Sequence, residues 1–282
     1  MDLIFYIFAG FVVGLLVGLT GVGGGSLMTP ILLIFFNVKA AVAVGTDLLY
    51  ASITKSVGIF AHGRLGNIDW KIVSLLACGS IPASILTVLY LKDLNIASDA
   101  AVSNIKFWLG VALLLTSLSV LFRNQLAQLS KTGEWFNPRF TPGLTVLLGI
   151  VLGFLVTLTS VGAGALGVTA LLILYPKIPI TRIIGSDVAH AVPLTLVAGL
   201  GHASLGTVDY TLLGTLLIGS IPGIWIGSHL SSKVAENWVR TLLALILVYV
   251  GQKLAFPEFN QLIGVSVLLF LVALKQLRFK ES

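Results

Sequence analysis

The chain is short of charge and almost without sulfur. Only 10% of its 282 residues are Asp, Glu, Lys or Arg, and Cys78 is the single cysteine. A soluble domain carries about 25% charged residues, so an ordinary solvated surface is excluded. One cysteine excludes an intrachain disulfide. Strand-like alternation of apolar and polar residues is missing, which argues against a membrane β-barrel. No nucleophilic triad, metal-ligand cluster or phosphate-binding loop is present, so no catalytic residue, metal or cofactor is expected. The first apolar run carries Asp2 but neither Lys nor Arg, and it meets glycines rather than a cleavage site. It reads as a retained helix rather than a signal peptide.

What the chain has in excess is apolar sequence. Hydrophobic residues make up 57% of it, and the mean hydropathy is +1.04. Apolar segments recur at roughly 3–19, 26–37, 40–61, 70–91, 105–122, 142–158, 165–176, 181–201, 210–230, 238–253 and 259–275. The expectation is an all-α polytopic membrane protein embedded in a lipid bilayer. Residues 1–122 form a first transmembrane repeat and 123–141 a cytoplasmic linker. Residues 142–256 form a second repeat, and 257–282 a final helix with a basic tail.

The two halves are copies. Between 45–82 and 185–222, at an offset of 140, thirteen of 38 positions are identical, among them Gly45, Asp47, His62, Gly66, Asp69 and Gly79-Ser80-Ile81-Pro82. Chance similarity between apolar sequences rarely matches Asp, His, Gly and Pro together. Segments 26–37 and 165–176 decide the relative orientation of the copies. At about 1.5 Å per residue they fall short of a hydrocarbon core about 30 Å thick. If each nonetheless connects opposite faces, each half has five segments and the repeats are inverted. Lys and Arg are enriched in cytoplasmic loops. With the N-terminus outside and every segment crossing, the basic residues split 12 inside to 4 outside, with Lys55 within a helix; if the short segments do not cross, the split is 10 to 6. Two inverted five-segment repeats plus a final helix is therefore the expected fold, with the C-terminus cytoplasmic. The +6 net charge follows from this topology and implies no nucleic acid.

Each short segment follows a break. The first is Leu19-Thr20-Gly21-Val22-Gly23-Gly24-Gly25-Ser26-Leu27, with four glycines in five positions. The second is Leu158-Thr159-Ser160-Val161-Gly162-Ala163-Gly164-Ala165-Leu166. Broken backbone at membrane depth is tolerated only where protein or a water-filled cavity surrounds it. The helix starts that follow have free N–H groups and partial positive charge. Inverted copies would bring the two starts together from opposite faces, forming a site for a small anionic substrate. The candidate binding residues are Thr20, Gly23, Gly24, Gly25, Ser26, Lys55, Thr159, Ser160, Gly162 and Gly164. Close helix packing through small residues is the competing reading.

Ionisable groups inside membrane segments are expensive and usually functional. Lys55 either contacts the substrate or pairs with Asp47 or Asp187. The aspartates, with His190 three residues after Asp187, read as coupling groups for a proton or sodium ion or as counter-ions to Lys55; helix capping is the alternative. Tyr50 stands where His190 would repeat, and Thr195 where Lys55 would. His62, His202, Asp69 and Asp209 read mainly as turn and cap residues, with histidine as a possible gate. Pro82 and Pro222 are expected to kink their helices.

The Gly-Val-Gly-Gly-Gly-Ser run, Gly45-Thr46-Asp47, the His62…Gly66…Asp69 string and their second-half echoes resemble the TauE/SafE sulfite exporter family. The likeness covers nearly the whole chain. It implies a bacterial inner-membrane transporter of sulfite or small organosulfonates, driven by an ion gradient. The second loop, with Ser160, Ala163 and Ala165, is less glycine-rich than the first. Asp47 and Asp187 stand where members often carry Ser or Asn. A passive anion channel and an intramembrane enzyme using Asp187 and His190 remain as alternatives, and a homo-oligomer is compatible with the sequence.

Overall fold

The structure is a computed structural model that describes residues 2–20, 25–64, 66–94, 99–131, 136–137, 139–230 and 236–258. Every regular element among them is an α-helix: α1 (Asp2–Thr20), α2 (Gly25–Ile34), α3 (Ala40–Arg64), α4 (Trp70–Asp93), α5 (Asp99–Lys131), α6 (Thr141–Thr159), α7 (Leu166–Leu174), α8 (Ile180–Ser204), α9 (Tyr210–Leu230) and α10 (Glu236–Ala255). The expected final helix and basic tail lie outside the described residues, as do Gly21, Gly23 and Gly24 of the first loop. Among the described helices, α4, α5, α6, α8 and α9 contain stretches long and apolar enough to cross a bilayer, and the protein is a multi-pass membrane protein.

The short segments are helices of 10 and 9 residues, about 15 Å and 13 Å long at 1.5 Å per residue. One boundary differs clearly from expectation. α5 is 33 residues long and continues through Lys131, into the stretch read as linker. Its polar end, Arg123-Asn124-Gln125-Leu126-Ala127-Gln128-Leu129, is rich in helix formers and lacks Gly and Pro until Gly133, so helix propensity extends it beyond the apolar span.

The matched turns are built alike. Gly66 and Gly206 adopt φ of 68° and 70°, a left-handed conformation that only glycine takes cheaply. The following aspartates cap the next helices. Asp69 accepts from the amides of Lys71 and Ile72 at 3.1 and 3.4 Å. Asp209 accepts from those of Thr211 and Leu212, both at 2.9 Å.

Helix packing exchanges the halves. α1 lies on α9, and α6 lies on α4. A Cβ on Gly14 would strike the Ser220 carbonyl, and one on Gly153 would strike that of Ser80. Gly219 abuts Ile7, and Gly79 abuts Val146. These are the same contacts with the copies swapped. Small residues let the backbones approach this closely in the absence of a hydrophobic drive between membrane helices. The polar links are swapped in the same way. Asp69 N donates to Ser186 Oγ at 2.8 Å, and Asp209 N donates to Thr46 Oγ1 at 3.0 Å.

Helix directions follow from these registers. α1 and α9 run parallel, since Gly10 meets Leu216 and Gly14 meets Ser220. The equivalent helices α3 and α8 run antiparallel: Gly45 meets His202 and Thr207, while Gly199 meets Leu49 and Gly185 meets Asn67. α5 and α10 are antiparallel too, with Gly110 at Gly251 and Ser117 Oγ donating to Ala244 O at 3.0 Å.

Candidate functional site

Both short helices begin against a buried aspartate. Thr29, one turn into α2, donates to Asp47 Oδ2 through its amide at 3.2 Å and its hydroxyl at 2.5 Å. Asp47 projects from α3 and is 0% exposed. In the second half, Asp187 on α8 is equally buried. Its Oδ1 lies so close to Gly167 in the first turn of α7 that a Cβ there would overlap it, and its carboxylate faces the Gly164 amide. The electropositive helix starts thus already carry resident carboxylates. Neither aspartate caps its own helix, since each lies two turns inside α3 or α8; they stand instead at the starts of α2 and α7 and share Lys55.

The loop before α7 is shaped by left-handed backbone. Ser160, Gly162 and Gly164 have φ of 59°, 128° and 117°. This turns the Ala163 carbonyl toward α3, where Lys55 Nζ donates to it at 3.0 Å. Lys55 is half-buried, and its charge acts on both Asp187 and Asp47. Ser160 is buried and its hydroxyl faces the Asp47 carboxylate. A left-handed non-glycine residue costs about 1–2 kcal/mol. Gly21 holds the matching place in the first loop, so the serine is a departure toward a polar group, not toward an easier fold.

Around this centre the polar atoms are under-satisfied. Asp47 Oδ1, Ser160 Oγ, both oxygens of Asp187, Tyr50 Oη and His190 Nδ1 are buried without a hydrogen-bond partner. Buried polar groups in a folded protein are normally paired, and a cluster of orphans marks a place where an ion, water or ligand belongs. The Tyr50–His190 asymmetry sits at equivalent places. His190 Nε2 pairs with Ser80 Oγ at 2.7 Å, and Tyr50 faces Ser220, the repeat partner of Ser80.

The structure brings Lys55, Asp47, Asp187 and Ser160 together, with His190 nearby and facing Lys55. Gly162 and Gly164 shape the loop. Thr159 is not available as a donor: its hydroxyl donates to Leu155 O at 2.6 Å and accepts from Val161 N at 3.1 Å. Thr20, Gly25 and Ser26 end α1 and begin α2, with side chains outside the described set. Thr195, in the place equivalent to Lys55, donates back to Ala191 O at 2.8 Å. His202 is a structural clamp between Thr207 Oγ1 at 2.9 Å and Thr157 O at 3.0 Å. Sequence reasoning missed Thr29, Ser80, Gly167 and the Ala163 carbonyl. Gly167 alone left a signal, as a further glycine beyond the break. Among the described residues, no group of three His, Cys, Asp or Glu side chains is arranged to hold a metal ion. A separate cleft of about 260 Å³ between α4, α5 and α6 is lined by Tyr90, Leu91, Trp108, Phe154 and Leu158, with Asn104. It offers no charge to an anion.

Comparison with known proteins finds relatives along most of the chain. The family described as Sulfite exporter TauE/SafE matches residues 6–254. The probable membrane transporter protein YjnA of Bacillus subtilis is 42% identical over 253 residues, covering 88% of this chain and 98% of that protein. The probable membrane transporter protein MJ0441 of Methanocaldococcus jannaschii is 27% identical, covering 87% and 92%. Another from B. subtilis, YdhB, is 26% identical, covering 87% and 97%. No solved structure matches the chain.

Proposed function

The chain belongs to the sulfite exporter TauE/SafE family, and from that premise we propose that it is a secondary transporter. It carries a small anion, sulfite or an organosulfonate, across the bacterial inner membrane by alternating access. The observation that carries this reading is Lys55 reaching from the first half to the loop before α7, between two short-helix starts and amid unpartnered polar atoms. An anion entering there meets the ammonium, which has one hydrogen bond to Ala163 O and further donors to give, and the orphan hydroxyl of Ser160.

The halves form an inverted repeat in this reading, with the N-terminus outside and the C-terminus cytoplasmic. Helix directions support it: α1 is parallel to α9, while the equivalent pairs α3/α8 and α5/α10 are antiparallel. All of these follow if every helix, the short ones included, reverses the chain. Interlocking bears on the motion. Since α1 is seated on α9 and α6 on α4, the two sequence halves do not slide apart as blocks. Alternating access therefore moves spatial groups of helices drawn from both halves about the Lys55 centre.

The test is uptake into proteoliposomes, preceded by a thermal-shift screen with sulfite, sulfate, thiosulfate and small sulfonates, since a ligand of the folded state raises its apparent stability. Lys55→Ala abolishes both the shift and the uptake while the protein remains folded and monodisperse. Unchanged uptake by that variant rejects the role of Lys55. Currents far above carrier turnover without uphill accumulation would instead identify a passive channel.

A further inference from the structure

The charge count of the centre bears on what accompanies the anion. Asp47 and Asp187 are both 0% exposed, and the cation acting most strongly on both is Lys55. Asp47 is also faced by Thr29 from α2, Ser160 from the loop before α7 and Tyr50 from α3. Asp187 is faced by the Gly164 amide and, more weakly than by Lys55, by Arg123 of α5, which has an interaction of its own. His190, on the same helix face as Asp187, is turned to Ser80. With both aspartates ionised, the Asp–Lys–Asp set carries one net negative charge in a medium where uncompensated charge is prohibitive. Three of its four carboxylate oxygens have no hydrogen-bond partner, which is the condition a proton relieves. Adding a monovalent anion would double the deficit.

We propose that Asp47 and Asp187 are the coupling-ion site, that the ion is a proton, and that one proton enters with each monovalent anion, so transport is electroneutral. Empty, the centre holds one carboxylate, one carboxylic acid and the Lys55 ammonium, summing to zero. Loaded, it holds two carboxylic acids, the ammonium and the anion, again summing to zero. No covalent bond changes except the O–H bond formed on one aspartate, whose proton comes from and returns to water. Lys55, tethered at the Ala163 carbonyl, is already counted in these sums, so the charge that enters with the anion is the proton taken up by an aspartate. This inference rests on the transporter reading above and adds the coupling ion, its site and its stoichiometry.

The test has a cargo-free arm and a cargo arm. Infrared difference spectra of the purified protein at neutral pH show one buried carboxylic acid C=O band, lost or shifted in Asp47→Asn or Asp187→Asn. Absence of any such band assignable to either residue overturns the proposal whatever the cargo. In proteoliposomes, radiolabelled methanesulfonate, which stays anionic, and sulfite are the probes. A pH gradient of one unit, acid outside, drives accumulation about tenfold. A potassium–valinomycin potential or a sodium gradient alone drives none. The double variant Asp47→Asn/Asp187→Asn, which leaves no carboxyl to take up the proton, loses pH-driven accumulation, and tenfold accumulation by that variant overturns the proposal. Counterflow with accumulation driven by potential or by sodium overturns the proton assignment and leaves the transporter reading standing. Failure of both probes to bind or exchange in the wild-type protein overturns the transporter reading for these anions, and the infrared arm then decides the proton site by itself.

Discussion

Ser160 combines a left-handed backbone with a buried hydroxyl. Its φ of 59° would suit glycine, and its buried hydroxyl has no hydrogen-bond partner. Strain held at such a position points toward function. Ser160→Gly is expected to raise stability by about 1 kcal/mol while weakening anion binding, measured as a higher melting temperature with a smaller ligand-induced shift. A variant that melts higher and binds equally well would show the hydroxyl to be idle. Thr29 works the other way. Its amide and hydroxyl both donate to Asp47 Oδ2. Thr29→Val leaves a buried carboxylate with one partner fewer and is expected to cost about 1–3 kcal/mol, read from thermal unfolding in detergent. An unaltered melting curve would mean that Asp47 is satisfied by other means.

At the scale of elements, the matched turns separate capping from ion pairing. Asp209→Ala removes the acceptor for two α9 amides at 2.9 Å, and loss of a cap costs about 0.5–2 kcal/mol. Asp69 has longer cap bonds and an ion pair with Arg182 at 3.5 Å, where the arginine side chain is 49% exposed. Exposed pairs are worth about 0–1 kcal/mol, so Arg182→Ala is expected to destabilise less than Asp209→Ala. Parallel melts of the two variants rank them, and the reverse order would mean that the Asp69–Arg182 pair holds this turn. The loop before α7 shows the same economy of parts. Thr159, Gly162 and Gly164 bend the chain, which frees Ala163 O and Ser160 to face the centre.

Across the whole molecule, the swapped contacts make each half the other's packing partner, and the site lies between them. The inverted reading has a direct test. Lys39, between α2 and α3, and Lys177, between α7 and α8, occupy corresponding connections and should lie on opposite faces. With Cys78→Ser removing the native thiol, Lys39→Cys should react with an impermeant maleimide in intact cells, and Lys177→Cys only in inverted vesicles. Labelling of both from one side would refute the inversion.

Hydrophobic runs, glycine breaks and a duplicated Asp–His–Gly–Asp pattern are local or periodic signals, so the helices, the two undersized segments, the cap aspartates and the copies were readable from the chain itself. Lys55, Asp47, Asp187 and Ser160 stood out because a charge or a hydroxyl in apolar sequence is costly wherever it lands. Their partners were not readable. Thr29 resembles any threonine in an apolar helix, Ser80 any small packing residue, and the Ala163 carbonyl has no side-chain signature at all. The tertiary structure decided that each short helix begins on an aspartate from the next long helix of its own half, and that Lys55 crosses to the opposite half. Those pairings join residues as far apart as 108 positions, and only the packing of the two halves against each other, through glycine contacts spread along whole helices, brings them within reach.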